Sequence, residues 1–121
     1  MLFRNATLAD GRVRDVRVAG ERIDAVRETL APADDERVVD AADRLLLPGM
    51  IDVHVHFRQP GDPHKETWTT GSRSAAAGGV TTVVDQPNTS PPTVTGAAVD
   101  EKLALARDSL VDFGINGGVT P

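Results

Sequence analysis

The chain has 121 residues, 40% of them hydrophobic, which suits one ordinary globular domain and is too apolar for a disordered one. Its net charge is -5, only Lys65 and Lys102 are lysines, and Trp68 and three Phe are the only aromatics, so a nucleic-acid surface is not expected. With no cysteine there is no disulfide, thiolate ligand or cysteine nucleophile, and any metal must be held by nitrogen and oxygen.

The start, Met1-Leu2-Phe3-Arg4-Asn5, has no basic flank leading into an apolar core, so no signal peptide is predicted and a cytoplasmic location is expected. No later stretch approaches the roughly 18 apolar residues of a membrane span. Few lysines and many aspartates suit a salt-rich cytoplasm, where acidic surfaces stay soluble. Residues 1–47 read as short strands with tight turns. Asp10-Gly11 signals a hairpin, and Val16 and Val18 alternate with Asp15 and Arg17 as in a half-buried strand. Gly20-Glu21 turns the chain back into a strand from Ile23 to Val26. Ala31 to Arg37 is an acidic loop, and Val38-Val39 and Leu45 to Leu47 are two more short strands. This small β module carries no visible chemistry.

The rhythm changes near Pro48-Gly49. Met50 to Phe57 is predicted as a strand, Pro60 to Lys65 as a loop, and Glu66 to Ala77 as a slim helix ending at Gly78-Gly79. Val80 to Asp85 is a second strand rich in Thr and Val, followed by a loop from Gln86 to Pro92. Thr95 can cap a second helix with Val99, Leu103 and Ala106 on one face. Val111 to Ile115 is a third strand. Strand, helix, strand, helix, strand implies a right-handed parallel α/β sheet.

Chemistry concentrates at the strand ends. On a strand, residues two apart face the same way, so His54 and His56 sit side by side with Asp52 one step deeper. Two such imidazoles can bind one metal ion; the ordinary alternative is a pair of hydrogen-bonded histidines, and the two readings weigh about evenly. Arg58 follows by two on the same face and can grip a carboxylate through two parallel hydrogen bonds, or pair at the surface with Asp62 or Glu66. Asn88, in Pro87-Asn88-Thr89 after the second strand, offers a donor and an acceptor, or simply makes a turn. Asp85 ends that strand as an inward carboxylate or, more simply, a loop cap. His64 is expected to be a solvated loop residue, with a loop that covers a substrate as the alternative.

Together these pieces resemble the amidohydrolase superfamily and, within it, the dihydroorotase family. The stretches that carry the resemblance are Pro48-Gly49-Met50-Ile51-Asp52-Val53-His54-Val55-His56-Phe57-Arg58, Gly78-Gly79-Val80-Thr81-Thr82 and Pro87-Asn88-Thr89, within roughly residues 38 to 121. The resemblance implies an α/β fold: the first strands of a (β/α)8 TIM-type barrel over residues 48–121, beside a small β-sandwich begun by residues 1–47. It implies that His54 and His56 are zinc ligands, with one or two zinc ions per full-length subunit, and that Arg58 and Asn88 hold the substrate carboxylate. The implied reaction is reversible ring closure of N-carbamoyl-L-aspartate to L-dihydroorotate in pyrimidine synthesis. The resemblance further implies that zinc would polarise the ring carbonyl and that an aspartate of the last barrel strand would move the proton. Gln86 stands where the family usually has Met, and Asp43 where many members have Gly.

A closed barrel takes about 250 residues, so the chain is expected to be an N-terminal fragment or a truncated product. Its catalytic aspartate and remaining ligands would then lie outside it, and the 121-residue chain alone would be inactive. The expected partners are a small-molecule substrate and, among proteins, a second copy or other pyrimidine-pathway enzymes. Two competing readings remain: an allantoinase or hydantoinase relative, and a non-catalytic scaffold chain.

Overall fold

In the computed structural model, which describes residues 1–119, the chain divides into two units, Met1–Pro48 and Gly49–Pro121. The end of the predicted 48–121 segment, Thr120 and Pro121, lies outside the described residues.

The first unit is a five-stranded sheet of β1 (Leu2–Leu8), β2 (Val13–Ala19), β3 (Arg22–Arg27), β4 (Val38–Asp40) and β5 (Leu45–Leu46). Antiparallel β1, β2 and β3 are joined by the two predicted turns, where Gly11 and Gly20 take the left-handed φ values of 81° and 57° that favour glycine. β4 and β5 each run parallel to one half of β1, on either side of Asn5. At Asn5 the register slips and φ is 59°, so its N–H leaves the ladder. Asp15 takes it: one carboxylate oxygen accepts from Asn5 N–H and the other from Leu30 N–H, both at 2.9 Å. Asp15 is therefore buried, and the predicted alternation along β2, with Asp15 on the wet face, does not hold. Burial alone would raise the Asp15 pKa; the N–H groups of Asn5 and Leu30, with Arg4 nearby, bring it below the ordinary value. Glu36 is held lower, to about 2, by the Arg17 guanidinium (2.8 and 2.9 Å) and by Ala33 N–H. One face of the sheet remains an open apolar groove lined by Phe3, Val16, Val18, Ile23, Val26 and Leu46.

The second unit is the predicted parallel sheet: β6 (Met50–Val55), β7 (Val80–Asp85) and β8 (Asp112–Ile115), in that order, with α1 (Trp68–Ala77) and α2 (Gly96–Ala106) as crossovers. α1 begins later than the predicted Glu66, because Thr67 is its cap: Thr67 and Thr70 exchange side-chain and backbone bonds in a capping box. Trp68, fully buried, meets Phe57 edge to face at 5.1 Å and Phe113 at 5.3 Å. Gly71 makes room for this cluster, since a Cβ there would collide with the ring of Phe57. Val83 and Ala106 complete the buried core.

The buried face of α2 is Ala98, Lys102 and Ala106, not the predicted Val99, Leu103 and Ala106; Leu103 is exposed. The buried Lys102, 2.6 Å from Asp85 of β7, rotates the packed face. No helix among the described residues is long and apolar enough to cross a membrane.

Candidate functional site

β6 and β7 are parallel, so the segments leaving their C-terminal ends start side by side. Gln86 ties them at that point: its N–H donates to Val55 O at 3.0 Å, and its side-chain Nε2 donates to Val53 O at 3.2 Å. A methionine at position 86 has no such donor. Further out, Ser90 N–H donates to Pro60 O at 3.3 Å, and Gly61, at φ 110°, lies so close to Ser90 that a Cβ would not fit.

The chain leaves β6 after Val55, two residues before the predicted end at Phe57. The imidazoles of His54 and His56 are nevertheless adjacent, with ring centroids 5.2 Å apart and planes at 68°. His54 is exposed and His56 half-buried. Asp52, predicted on their face, accepts the backbone N–H of His54 at 3.0 Å. His56 Nδ1 lies 2.8 Å from Asn88 Oδ1. Donation from Nδ1–H to this oxygen would leave the free lone pair of His56 on Nε2. This contact joins the two strand ends through their side chains.

Arg58 departs from the strand-face argument. Its φ is 47°, so alternation has ended before it, and a non-glycine residue in that region is held there by its surroundings. The surface alternative forms no close ion pair: Asp62 pairs with Lys65 at 3.1 Å, and among the described residues Arg58 has no ion pair, although its charge also helps to lower the Asp62 pKa. The Asp62 pKa lies below the ordinary carboxylate value, chiefly through its hydrogen bond to Lys65. His64 is exposed, as expected.

Asp85 does not serve as an inward ligand. It is fully buried; one oxygen accepts Phe57 N–H at 2.7 Å, and the other meets Lys102 Nζ at 2.6 Å. Lys102 was missed from sequence. The available signal was the spacing Ala98-Lys102-Ala106, which puts a lysine on the small-residue face that helices press against sheets.

Two imidazoles bound to one tetrahedral metal, with metal–nitrogen bonds of about 2.0–2.1 Å, hold their ring centres about 5 Å apart. The His54–His56 separation matches that arrangement, and the His56–Asn88 bond is the kind of outer partner that orients a ligating histidine. Zinc normally takes three or four protein ligands, and no group of three or more His, Asp or Glu side chains suited to a metal occurs among the described residues. The pair therefore fits two positions of a metal site.

The Dihydro-orotase-like family model matches residues 43–107. A curated dihydroorotase of Halobacterium salinarum is 72% identical over 98% of the chain, which covers 28% of that relative. An allantoinase of Desulfitobacterium hafniense is 43% identical over 99% of the chain and 28% of its own length. Among solved structures, an L-hydantoinase (dihydropyrimidinase) from Arthrobacter aurescens aligns with a TM-score of 0.88 and 31% identity, over 99% of this chain and 28% of that one. The chain thus spans about a quarter of the length of these relatives.

Proposed function

Because the chain belongs to the Dihydro-orotase-like family, we propose that it forms the metal-binding corner of a dihydroorotase, a zinc-dependent enzyme that opens and closes the ring of L-dihydroorotate. The observation that carries this reading is the 2.8 Å contact between His56 and Asn88, which unites a metal-type imidazole pair with a carboxamide from the next strand end. In this reading His54 and His56 hold the zinc ion. When bound, zinc supplies a Lewis acid for the amide carbonyl and acidifies water near neutral pH.

The chain's own groups bind and orient. Arg58, in no ion pair among the described residues, offers its planar fork to the carboxylate of dihydroorotate or N-carbamoyl-L-aspartate. Asn88 spends its oxygen on His56 and keeps its Nδ2 donors for the same carboxylate. Substrate seating and ligand orientation are then coupled through one residue.

The wider architecture is part of the proposal. The three parallel strands are the opening of a (β/α)8 barrel; the exposure of Ile51 (65%) and Val53 (66%) on β6 supports further elements packing there. The apolar groove of the first unit supports a second sheet over it, as in a β-sandwich. The proposed setting is cytoplasmic, with a small-molecule substrate and a homodimer or association with other pyrimidine-pathway enzymes.

The test is to assay the full-length product of the gene, with zinc supplied, for cyclisation of N-carbamoyl-L-aspartate. Turnover that falls in Arg58→Ala through a raised KM is the expected result, and absence of turnover would refute the proposal. The allantoinase relative gives the runner-up a specific basis. Preference for allantoin, with Arg58→Ala harmless, would favour it instead. A purified protein without stoichiometric zinc would favour the scaffold reading.

A further inference from the structure

We propose that the buried Asp85–Lys102 pair is a positioning device that sets the two strand ends of the site relative to each other. The inference rests on the roles given above to His54, His56 and Asn88. Both side chains are fully buried, with Lys102 Nζ 2.6 Å from Asp85 Oδ2. A buried ion pair is weak evidence for stability, because well-packed apolar residues often do as well. What apolar residues cannot do is hold the particular backbone groups that this pair holds.

On one side, Asp85 Oδ1 accepts the N–H of Phe57 at 2.7 Å. Phe57 lies between His56 and Arg58, and Val55 is the last residue of β6, so this bond anchors the metal-type pair beyond the end of its strand. On the other side, Lys102 Nζ donates to Gln86 O at 2.6 Å and to Thr93 Oγ1 at 3.4 Å. Thr93 Oγ1 lies 3.2 Å from Thr89 Oγ1, and Thr93 N–H donates to Pro87 O at 2.9 Å. These bonds bracket Asn88. One ammonium and one carboxylate thus fix the segments that carry His56 and Asn88, from beneath and out of reach of substrate.

Two variants of the full-length protein separate the halves of the device. Asp85→Asn/Lys102→Met removes both charges but keeps an oxygen for Phe57 N–H. Asp85→Leu/Lys102→Met removes that oxygen too. Neither leaves a lone charge buried. In the first, loss of the hold on Gln86 O should raise KM for N-carbamoyl-L-aspartate about tenfold, with kcat little changed and zinc affinity near wild type. In the second, zinc affinity measured by chelator competition should also fall about tenfold. A purely structural pair would shift the melting temperature and leave KM and zinc affinity at wild-type values; that outcome overturns the proposal. If the apolar variant does not fold, the Asn/Met variant decides through KM. Wild-type protein without turnover would sink the proposed reaction instead, and the zinc affinities of the two variants would still judge the pair.

Discussion

Asn88 is given two jobs, and two substitutions should pull them apart. Its oxygen orients His56 across 2.8 Å, and its Nδ2 donors make no hydrogen bond among the described residues, which leaves them for a carboxylate. Asn88→Ala removes both. Losing an outer partner of a ligating histidine typically costs about 10–100-fold in metal affinity, or about 1.4–2.7 kcal/mol. Asn88→Asp keeps an oxygen for His56 Nδ1–H and adds charge to it, so zinc affinity should hold or improve. The same charge faces the substrate carboxylate. At about 4 Å two unit charges repel by about 1 kcal/mol in water and about 4 kcal/mol at an effective dielectric near 20. Asn88 is exposed, which favours the lower figure, so KM should rise at least about fivefold. Chelator competition reads the zinc affinity, and initial rates with N-carbamoyl-L-aspartate read KM. Zinc affinity unchanged in Asn88→Ala, or KM unchanged in Asn88→Asp, would refute the coupling of the two roles.

Arg58→Gly should raise KM about tenfold or more while costing no thermal stability, because φ 47° burdens a non-glycine residue by about 1–2 kcal/mol; a lowered melting temperature would contradict the strain argument. Gly71→Ala should lower the melting temperature, since overpacking against Phe57 costs about 1–3 kcal/mol and the gain in helix propensity returns about 1 kcal/mol at most. The first unit should lose stability in acid through Glu36. Its folded pKa of about 2 lies below the ordinary 4.5, so its contribution is full above pH 4.5 and fades as pH falls toward 2. Following the first unit by amide exchange across that range, Glu36→Gln should flatten the decline; an unchanged profile would remove Glu36 from the account.

Local chemistry made most of the framework legible. The turns at Gly11 and Gly20, the cap at Thr95 and the three parallel strands with their crossovers follow from short-range signals. What escaped depended on partners distant in sequence. β1 has no clean alternation because Asn5 is bulged out, and that bulge is satisfied only by Asp15 from the next strand. Arg58 was placed by strand periodicity, which had already ended at Val55. Lys102 escaped because nothing near it in sequence shows that Asp85 lies beneath the helix. Proximity of His54 and His56 was readable from spacing, whereas the bond to Asn88, 32 residues on, needed the strands to pair first.

Lysine scarcity has a practical corollary. Of the chain's two lysines, Lys65 stands in an exposed loop and Lys102 is sealed in the core. In the folded chain, amine-directed reagents therefore meet only Lys65 and the Met1 amino group. Labelling at Lys102 requires α2 to lift from the sheet, so the rate at which that one amine becomes modified is a built-in clock for opening of the second unit.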